Sequence, residues 1–281
     1  MTALVIRTMS RTELDLGIDW AAAEGWNPGL HDADAFHAAD PQGYFVGLLD
    51  DEPIGMIAAV RYGEGFGFIG FYIVRPDWRG RGHGLALWRA GMQSLSGRLV
   101  GLDGVVAQQA NYQRSGFELA YNNIRHQGAA MAAGSPDPQI VPISQIPVEQ
   151  VVRYDAALFP DDRRSFLTAW LSLPGSIGLA LIQGERLAGY GAIRPCRQGF
   201  KVGPLLADDA GVAERLLRAL LAAVPSGALV QFDTPAINAK AIALARSLGM
   251  SPVFETARMY TGAAPPLPLE RLFGVTSFEL G

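Results

Sequence analysis

The sequence predicts an α/β (α+β) chain of two tandem domains, each with a mixed, mostly antiparallel twisted sheet flanked by helices. Three observations predict this class. Strand and helix patterns alternate along the chain, and the same order of patterns occurs twice. A stretch rich in Ala, Gly, Ser and Pro, residues 128–138, separates the two copies. The length of 281 residues allows each domain to bury a core of its own.

The first copy covers residues 1–127. Ser10 and Glu13 have the spacing of a capping box, which predicts the start of the first helix. The predicted elements, in chain order, are the strand Leu4–Thr8, a helix ending near Glu24, the helix His31–Ala39, the hairpin strands Tyr44–Leu49 and Ile54–Arg61, the strand Phe66–Val74, the helix Gly82–Ser96, the strand Leu99–Leu102, the helix Val105–Ser115 and the strand Glu118–His126.

The second copy covers residues 139–281 and repeats this order. Its predicted elements are the helices Pro147–Leu158 and Arg163–Leu173, the strands Ile177–Ile182, Leu187–Arg194 and Phe200–Leu206, the helix Ala210–Val224, the strand Ala228–Asp233, the helix Asn238–Leu248 and the strand Val253–Gly262. Four pairs of identical residues are each 133 positions apart and indicate a duplication: Pro41 and Pro174, Glu52 and Glu185, Arg61 and Arg194, and Gly116 and Gly249.

Composition excludes several classes of protein. The net charge of −4 gives no general attraction to nucleic acid or membrane, so affinity for a polyanion has to be local. The lone cysteine, Cys196, excludes an internal disulfide and a cysteine-based metal site, and the four histidines lack metal-ligand spacing. We find no signal-peptide pattern at the N-terminus and no apolar run long enough to span a membrane, and therefore expect a cytoplasmic protein.

A glycine-rich basic loop, Arg79–Gly84, lies between a predicted strand and a predicted helix. Glycines let a backbone approach a ligand closely, and the unpaired N–H groups of a helix N-terminus favour an anion. The loop lacks the Lys of a Walker motif. Its glycines also lack the Gly-x-Gly-x-x-Gly spacing of a dinucleotide fingerprint, although Asp103 lies near the distance of that motif's acidic residue. The pattern predicts a pyrophosphate site, and a plain glycine-rich turn with solvated arginines is the alternative.

Arg79-Gly80-Arg81-Gly82-His83-Gly84 resembles the Arg/Gln-x-x-Gly-x-Gly/Ala loop of the GCN5-related N-acetyltransferases (GNAT), which grips the pyrophosphate of acetyl-CoA. The preceding Val74-Arg75-Pro76 and the later Tyr112-Gln113-Arg114-Ser115-Gly116-Phe117 are also typical of that family. The whole chain resembles bacterial tandem GNAT proteins with a degenerate second domain. The resemblance implies a catalytic domain at 1–127, a linker at 128–138 and a degenerate domain at 139–281.

The resemblance implies acetyl-CoA as co-substrate and no metal. The backbone of the strand before the loop should pair with the pantetheine arm like an added strand, and one of its N–H groups should stabilise the oxyanion. The implied acetyl-CoA contacts are Tyr72, Ile73, Val74, Arg79, Gly80, Arg81, Gly82, His83, Gly84, Leu85, Asn111 and Arg114. We also expect a β-bulge at Gly70, where this strand should splay from its neighbour.

Tyr112 is in the position of the tyrosine that protonates the departing thiolate in this family. A phenol remains protonated until about pH 10 and suits that role. For the general base, Glu64 at a turn and Asp103 after a strand are the nearest acids, with turn solvation or helix capping as alternative roles and a water chain as an alternative base. Trp26, Asn27 and Asp233 are the candidate acceptor-binding residues, and Trp26 could equally be a core residue.

The second copy lacks the residues of the implied chemistry. The position equivalent to Tyr112 is Ala245, and the loop Asp209–Arg215 has one glycine, no arginine pair and two acids, which would repel an anion. We therefore expect acetyl-CoA to bind only the N-terminal half.

The predicted function is transfer of acetyl from acetyl-CoA to a primary amine of a small molecule or peptide, directly in a ternary complex. Two alternatives remain at this point: a CoA-responsive pseudoenzyme, and a dinucleotide-dependent oxidoreductase that uses Gly80–Gly84 and Asp103. A tandem pair can mimic a dimer internally, so we expect a monomer or a homodimer. Nucleic acid and membrane are not expected as partners.

Overall fold

The computed structural model describes residues 3–132 and 134–281, and a single sheet of 13 strands runs through both halves of this part of the chain. The strands are β1 (Val5–Thr8), β2 (Tyr44–Leu49), β3 (Glu52–Tyr62), β4 (Phe66–Val74), β5 (Leu99–Val105), β6 (Glu118–Ala129), β7 (Ile140–Pro142), β8 (Ile177–Gln183), β9 (Arg186–Pro195), β10 (Phe200–Ala207), β11 (Leu229–Pro235), β12 (Ser251–Tyr260) and β13 (Leu272–Gly274). The pairs β4–β5 and β10–β11 are parallel, and the other pairs are antiparallel. The predicted mixed, mostly antiparallel α/β class is therefore confirmed.

Helices flank this sheet in both halves of the chain. Those of the described residues are α1 (Arg11–Ala23), α2 (Asp32–Ala39), α3 (His83–Ser94), α4 (Gln109–Arg114), α5 (Val148–Ala156), α6 (Arg164–Trp170), α7 (Ala210–Ala222) and α8 (Ala239–Ser247). The capping box at the start of α1 is confirmed, because the Ser10 side chain accepts from the Glu13 backbone N–H and the Glu13 side chain accepts from the Ser10 backbone N–H. Among the described residues, no helix has the length and apolar character needed to cross a bilayer.

The two halves exchange their last strands. The sheet order is β1-β2-β3-β4-β5-β12-β6-β11-β10-β9-β8-β7, with β13 beside β10. Thus β12 from the C-terminal half pairs with β5, and β6 from the N-terminal half pairs with β11. The β6 strand ends at Ala129, two residues inside the predicted linker, and β7 begins at Ile140. The exchange joins the two predicted sheets into one and places residues of the C-terminal half beside the N-terminal site.

The core is also shared between the halves. The aromatic rings of Phe36 and Phe71, from the first half, pack 5.4 Å apart, and Trp170 of α6 stacks on Phe36 at 5.9 Å. The segment 275–281 is buried between the halves, where the Tyr62 hydroxyl donates to the Leu280 carbonyl at 3.0 Å. Burial of this much apolar surface fixes the relative position of the two halves.

Candidate active site

The site opens where β4 separates from β5. The two strands pair in parallel only over Phe66–Ile69 and Leu99–Leu102. Directly after Gly70 the register of β4 against β3 shifts, and Phe71 has a φ of +44°, which is unusual for a bulky residue. This is a β-bulge next to the position predicted for it, and it leaves backbone groups beyond Ile69 without a β5 partner.

A cavity of about 940 Å³ lies in this opening. Thirteen of the predicted site residues line it: Trp26, Tyr72, Ile73, Val74, Arg79, Gly80, Gly82, Gly84, Leu85, Asp103, Asn111, Tyr112 and Arg114. Residues far apart in the chain therefore meet at one site.

The start of α3 lines the cavity with a cradle of backbone amides, a geometry suited to an anion. Gly80 and Gly82 have φ angles of +74° and +86°, which only glycine adopts without strain, and no side chain caps the helix. The N–H groups of the first turn have no preceding helical carbonyl to pair with. A Cβ on Gly84 would lie 2.7 Å from the Tyr72 hydroxyl, so this glycine lets α3 pack closely on β4.

The basic side chains of the loop divide between cavity and rim. Arg79 lines the cavity, where its Nε donates to the Val74 carbonyl at 2.7 Å and its guanidinium forms an ion pair with Glu24. Arg81 and His83 are not on the cavity wall. The guanidinium of Arg81 lies 5.0 Å from the Trp78 ring centre, and the His83 ring packs edge-on to the same tryptophan. Packing against Trp78 thus keeps both side chains off the cavity wall.

Tyr112 also lines the cavity, and its ring packs on Trp88 of α3, with ring centres 5.6 Å apart. A Cβ on Gly104 would lie 2.3 Å from the Tyr112 ring, so the absence of a side chain there makes room for the phenol. Burial raises the pKa of Tyr112 to about 12. The phenol is therefore a proton donor throughout the neutral range.

The structure does not bring Glu64 to the cavity. Glu64 is exposed in the turn between β3 and β4, at the opposite end of β4 from Tyr72. At about 3.3 Å per residue, the intervening strand separates the two by roughly 25 Å. The structure therefore corrects the expected position of Glu64, which lies at the far end of β4 and outside the cavity wall.

Asp103 lies on the cavity wall but is engaged by other side chains. Its two oxygens accept from the Arg258 guanidinium at 2.7 and 2.6 Å, and Asn123 also donates to Oδ1 at 2.8 Å. Burial raises the pKa of Asp103, and the charge of Arg258 opposes that rise. The ion pair joins β5 to β12 across the exchanged edge, so the geometry favours a structural role over a proton acceptor.

Two of the three candidate acceptor residues hold the halves together and do not line the cavity. Asn27 is buried, donates to the Gln198 carbonyl at 2.9 Å and accepts from the Gln198 N–H at 2.8 Å. Asp233 is buried in a bidentate ion pair with Arg125, with both distances 2.7 Å. The structure therefore places both candidates off the cavity wall, because hydrogen bonds across the interface engage both side chains. Trp26 does line the cavity, as predicted.

Sequence reasoning missed several wall residues supplied by the exchanged strands and the last segment. Arg125, Phe254, Thr256, Phe278 and Glu279 line the cavity beside Trp26. The guanidinium of Arg125 donates to the Trp26 carbonyl at 2.9 Å and lies 4.8 Å from the Phe278 ring centre. The one sequence feature that could have pointed to Arg125 is a charged residue inside a strand pattern. The strand exchange that brings these residues to the N-terminal site has no counterpart in the local sequence.

The corresponding site of the C-terminal half is filled by the chain itself. β13 pairs with β10 at Leu205 and Leu206, which is the edge equivalent to the open part of β4. The Asp209 side chain accepts from the Val212 N–H at 2.9 Å and caps α7, so a carboxylate occupies the place of an anion. Among the described residues, no group of three or more His, Cys, Asp or Glu side chains could hold a metal.

Comparison with known proteins agrees with this architecture. Residues 12–117 match the model of the Acetyltransferase (GNAT) family, and residues 151–274 match the model of the Acetyltransferase (GNAT) domain. The chain is 31% identical over 263 residues to the holothin acyltransferase of Pseudoalteromonas sp. (strain SANK 73390), covering 94% of this chain and 90% of the relative.

Solved structures share the fold over the whole chain. A candidate acetyltransferase from Pyrococcus horikoshii superposes with a TM-score of 0.84 at 22% identity, covering 100% of this chain and 97% of the other. A tandem GNAT protein from the clavulanic acid biosynthesis pathway gives a TM-score of 0.66 at 15% identity, covering 94% and 100%. The chain therefore belongs to the GNAT superfamily, as a tandem-domain acyltransferase.

Proposed function

We propose that the protein transfers an acetyl group from acetyl-CoA to a primary amine of a small molecule, directly in a ternary complex at the N-terminal site. The observation that carries this proposal is the juxtaposition, in one cavity, of the bare amide cradle of α3, the unpaired edge of β4 and the buried phenol of Tyr112. Bringing both substrates into one site is itself a large part of such catalysis.

The described residues fit acetyl-CoA. The amides of Gly82, His83, Gly84 and Leu85 point out of the first turn of α3 and would hold the pyrophosphate. The β4 residues beyond the bulge have backbone groups free to pair with the amides of the pantetheine arm. When bound, acetyl-CoA supplies an acetyl group activated as a thioester.

Tyr112 would act as the acid. As the carbon–nitrogen bond formed and the carbon–sulfur bond broke, the phenol would give its proton to sulfur. The proton lost by the attacking amine nitrogen would pass through water to the phenolate and restore the phenol. A pKa of about 12 keeps the phenol protonated until the thiolate leaves. An N–H of the β4 bulge would stabilise charge on the acetyl oxygen.

In this geometry Asp103 is not available as the acidic residue that a dinucleotide site requires. A ribose-binding acid needs a free carboxylate, and both oxygens of Asp103 are engaged by Arg258. We further propose that the C-terminal half binds no CoA, because β13 and the Asp209 cap occupy the equivalent positions.

Titration calorimetry with CoA, followed by a free-thiol release assay, tests the proposal. The relative from Pseudoalteromonas is named a holothin acyltransferase, so holothin is the first acceptor to test, with acetyl-CoA and longer acyl-CoAs as donors. We expect one CoA per chain and acceptor-dependent thiol release. No CoA binding, or thermal stabilisation by NAD and not by CoA, would refute it.

A further inference from the structure

Glu279 is a buried carboxylate on the cavity wall with an unpaired oxygen. The residue is 4% exposed, and its Oε2 atom is buried without a hydrogen-bond partner among the described residues. Within that part of the chain it also forms no ion pair. Burial of an unpaired carboxylate costs free energy, so a partner supplied by a ligand would explain its position.

The cations near Glu279 are engaged elsewhere. Arg125 forms its bidentate pair with Asp233, and Arg194 forms one with Asp32 at 2.7 and 3.0 Å. Within each of these two pairs, the positive and negative charges neutralise each other. Lys201 donates instead to the Trp26 carbonyl at 3.4 Å. The positive charges of these three residues act on the Glu279 carboxylate through space. Among the described residues, none of the three donates a hydrogen bond to its unpaired Oε2 atom.

Glu279 lies at the reacting end of the cavity. A Cβ built on Gly70 would be 1.9 Å from the Glu279 carbonyl oxygen and 3.1 Å from its Cα, so the two backbones touch. Gly70 directly precedes the bulge at which β4 parts from β5. The Thr256 Oγ1 atom on the same wall is a second buried polar atom without a partner among the described residues. Two unpaired polar atoms thus flank the place where the acceptor would meet the thioester.

We propose that Glu279 receives the ammonium group of the acceptor, and that the acceptor is a cationic amine with a flat apolar body that packs between Trp26, Phe254 and Phe278. This inference rests on the proposed function, because it concerns the second substrate of that same site. The aromatic rings supply the faces for such a body, and the carboxylate supplies the charge-assisted hydrogen bond.

Glu279 would also accept a proton. One proton passes from the ammonium nitrogen to the carboxylate, which leaves a neutral amine with a free electron pair and a neutral carboxylic acid. The acid returns this proton to water after the product leaves. Glu279 therefore supplies the base, for which the sequence had left Glu64, Asp103 and a water chain open.

Binding of matched probes to the CoA-saturated protein tests the inference. Tryptamine and benzylamine carry the ammonium group, and tryptophol and benzyl alcohol are their uncharged counterparts. The variants are Glu279→Gln, which keeps the shape and removes the charge, and Glu270→Gln, which removes an exposed carboxylate from the same C-terminal segment. Calorimetry with CoA alone is measured first for each protein.

For the wild type and Glu270→Gln we expect at least one amine to bind about tenfold or more tightly than its alcohol. In Glu279→Gln this preference is lost while CoA affinity and the melting temperature are retained. Absence of any amine preference in the wild type, or its persistence in Glu279→Gln, overturns the inference and leaves the proposed function standing. Absence of CoA binding in the wild type refutes the proposed function instead.

Discussion

Replacing Gly82 with alanine tests the anion cradle. Gly82 has a φ of +86° and open space around its Cα, so an added Cβ meets no atom of the protein within 4 Å. The left-handed conformation costs an alanine about 1–2 kcal/mol, and the melting temperature should fall by roughly 2–4 °C for each kcal/mol. The methyl group would project where the phosphates approach the amides. Loss of one charge-assisted hydrogen bond costs about 1.5–3 kcal/mol, which is about a 10- to 100-fold weaker Kd for CoA.

Gly97 provides a matched control. It follows the same helix, has a φ of +83°, and likewise has open space around it. Gly97→Ala should therefore lower the melting temperature as Gly82→Ala does, yet leave CoA affinity unchanged. Thermal unfolding gives the two melting temperatures, and calorimetry gives the CoA affinities of the two variants. Equal CoA affinities for the two variants would refute the reasoning, because backbone strain alone would then account for the whole effect.

Three further predictions follow from single contacts. In the thiol-release assay, Tyr112→Phe should lower kcat about 100-fold or more without changing CoA affinity, because it removes the acid. The control is Tyr44→Phe, which removes a buried hydroxyl that donates to a carbonyl at 2.7 Å; it should lower stability and leave kcat unchanged. Asp233→Asn leaves the Arg125 charge buried without its counter-ion and should cost about 3–5 kcal/mol in urea unfolding; a loss below 1 kcal/mol would contradict the role assigned to the pair. The hydrogen bonds that Arg7 donates to Glu13 lower the pKa of Glu13 from 4.5 to about 2, so its ionised form is favoured in the folded state. Its contribution to stability should be present above about pH 4.5 and lost as the pH falls toward 2, and the difference in urea midpoint between wild type and Glu13→Gln should shrink over that range.

Local chemistry decided which parts of the site could be read from the sequence. The loop Arg79–Gly84 and the phenol of Tyr112 were each predicted from residue types at short spacings. The structure places Tyr112 and the loop's Arg79 and three glycines on one cavity wall. The structure places Glu64 and Asp233 off the cavity wall, and the sequence could not show this for a shared reason. The sequence shows that an acid is present, but it does not show whether the side chain faces solvent, an arginine or the cavity.

The sequence by itself determined most of the helices and strands, their duplicated order and the glycine-rich loop before α3, whereas β7 and β13 had no predicted counterpart. Helix caps, strand periodicity and glycine positions act over a few residues, which is why these features could be predicted. Only the tertiary structure decided that β6 and β12 change places and that the segment 275–281 lines the cavity through Phe278 and Glu279. The physical reason is that strand pairing and burial are contacts between residues more than a hundred positions apart. Several strand orders can satisfy the same local pattern, and burial of the shared core selects one of them.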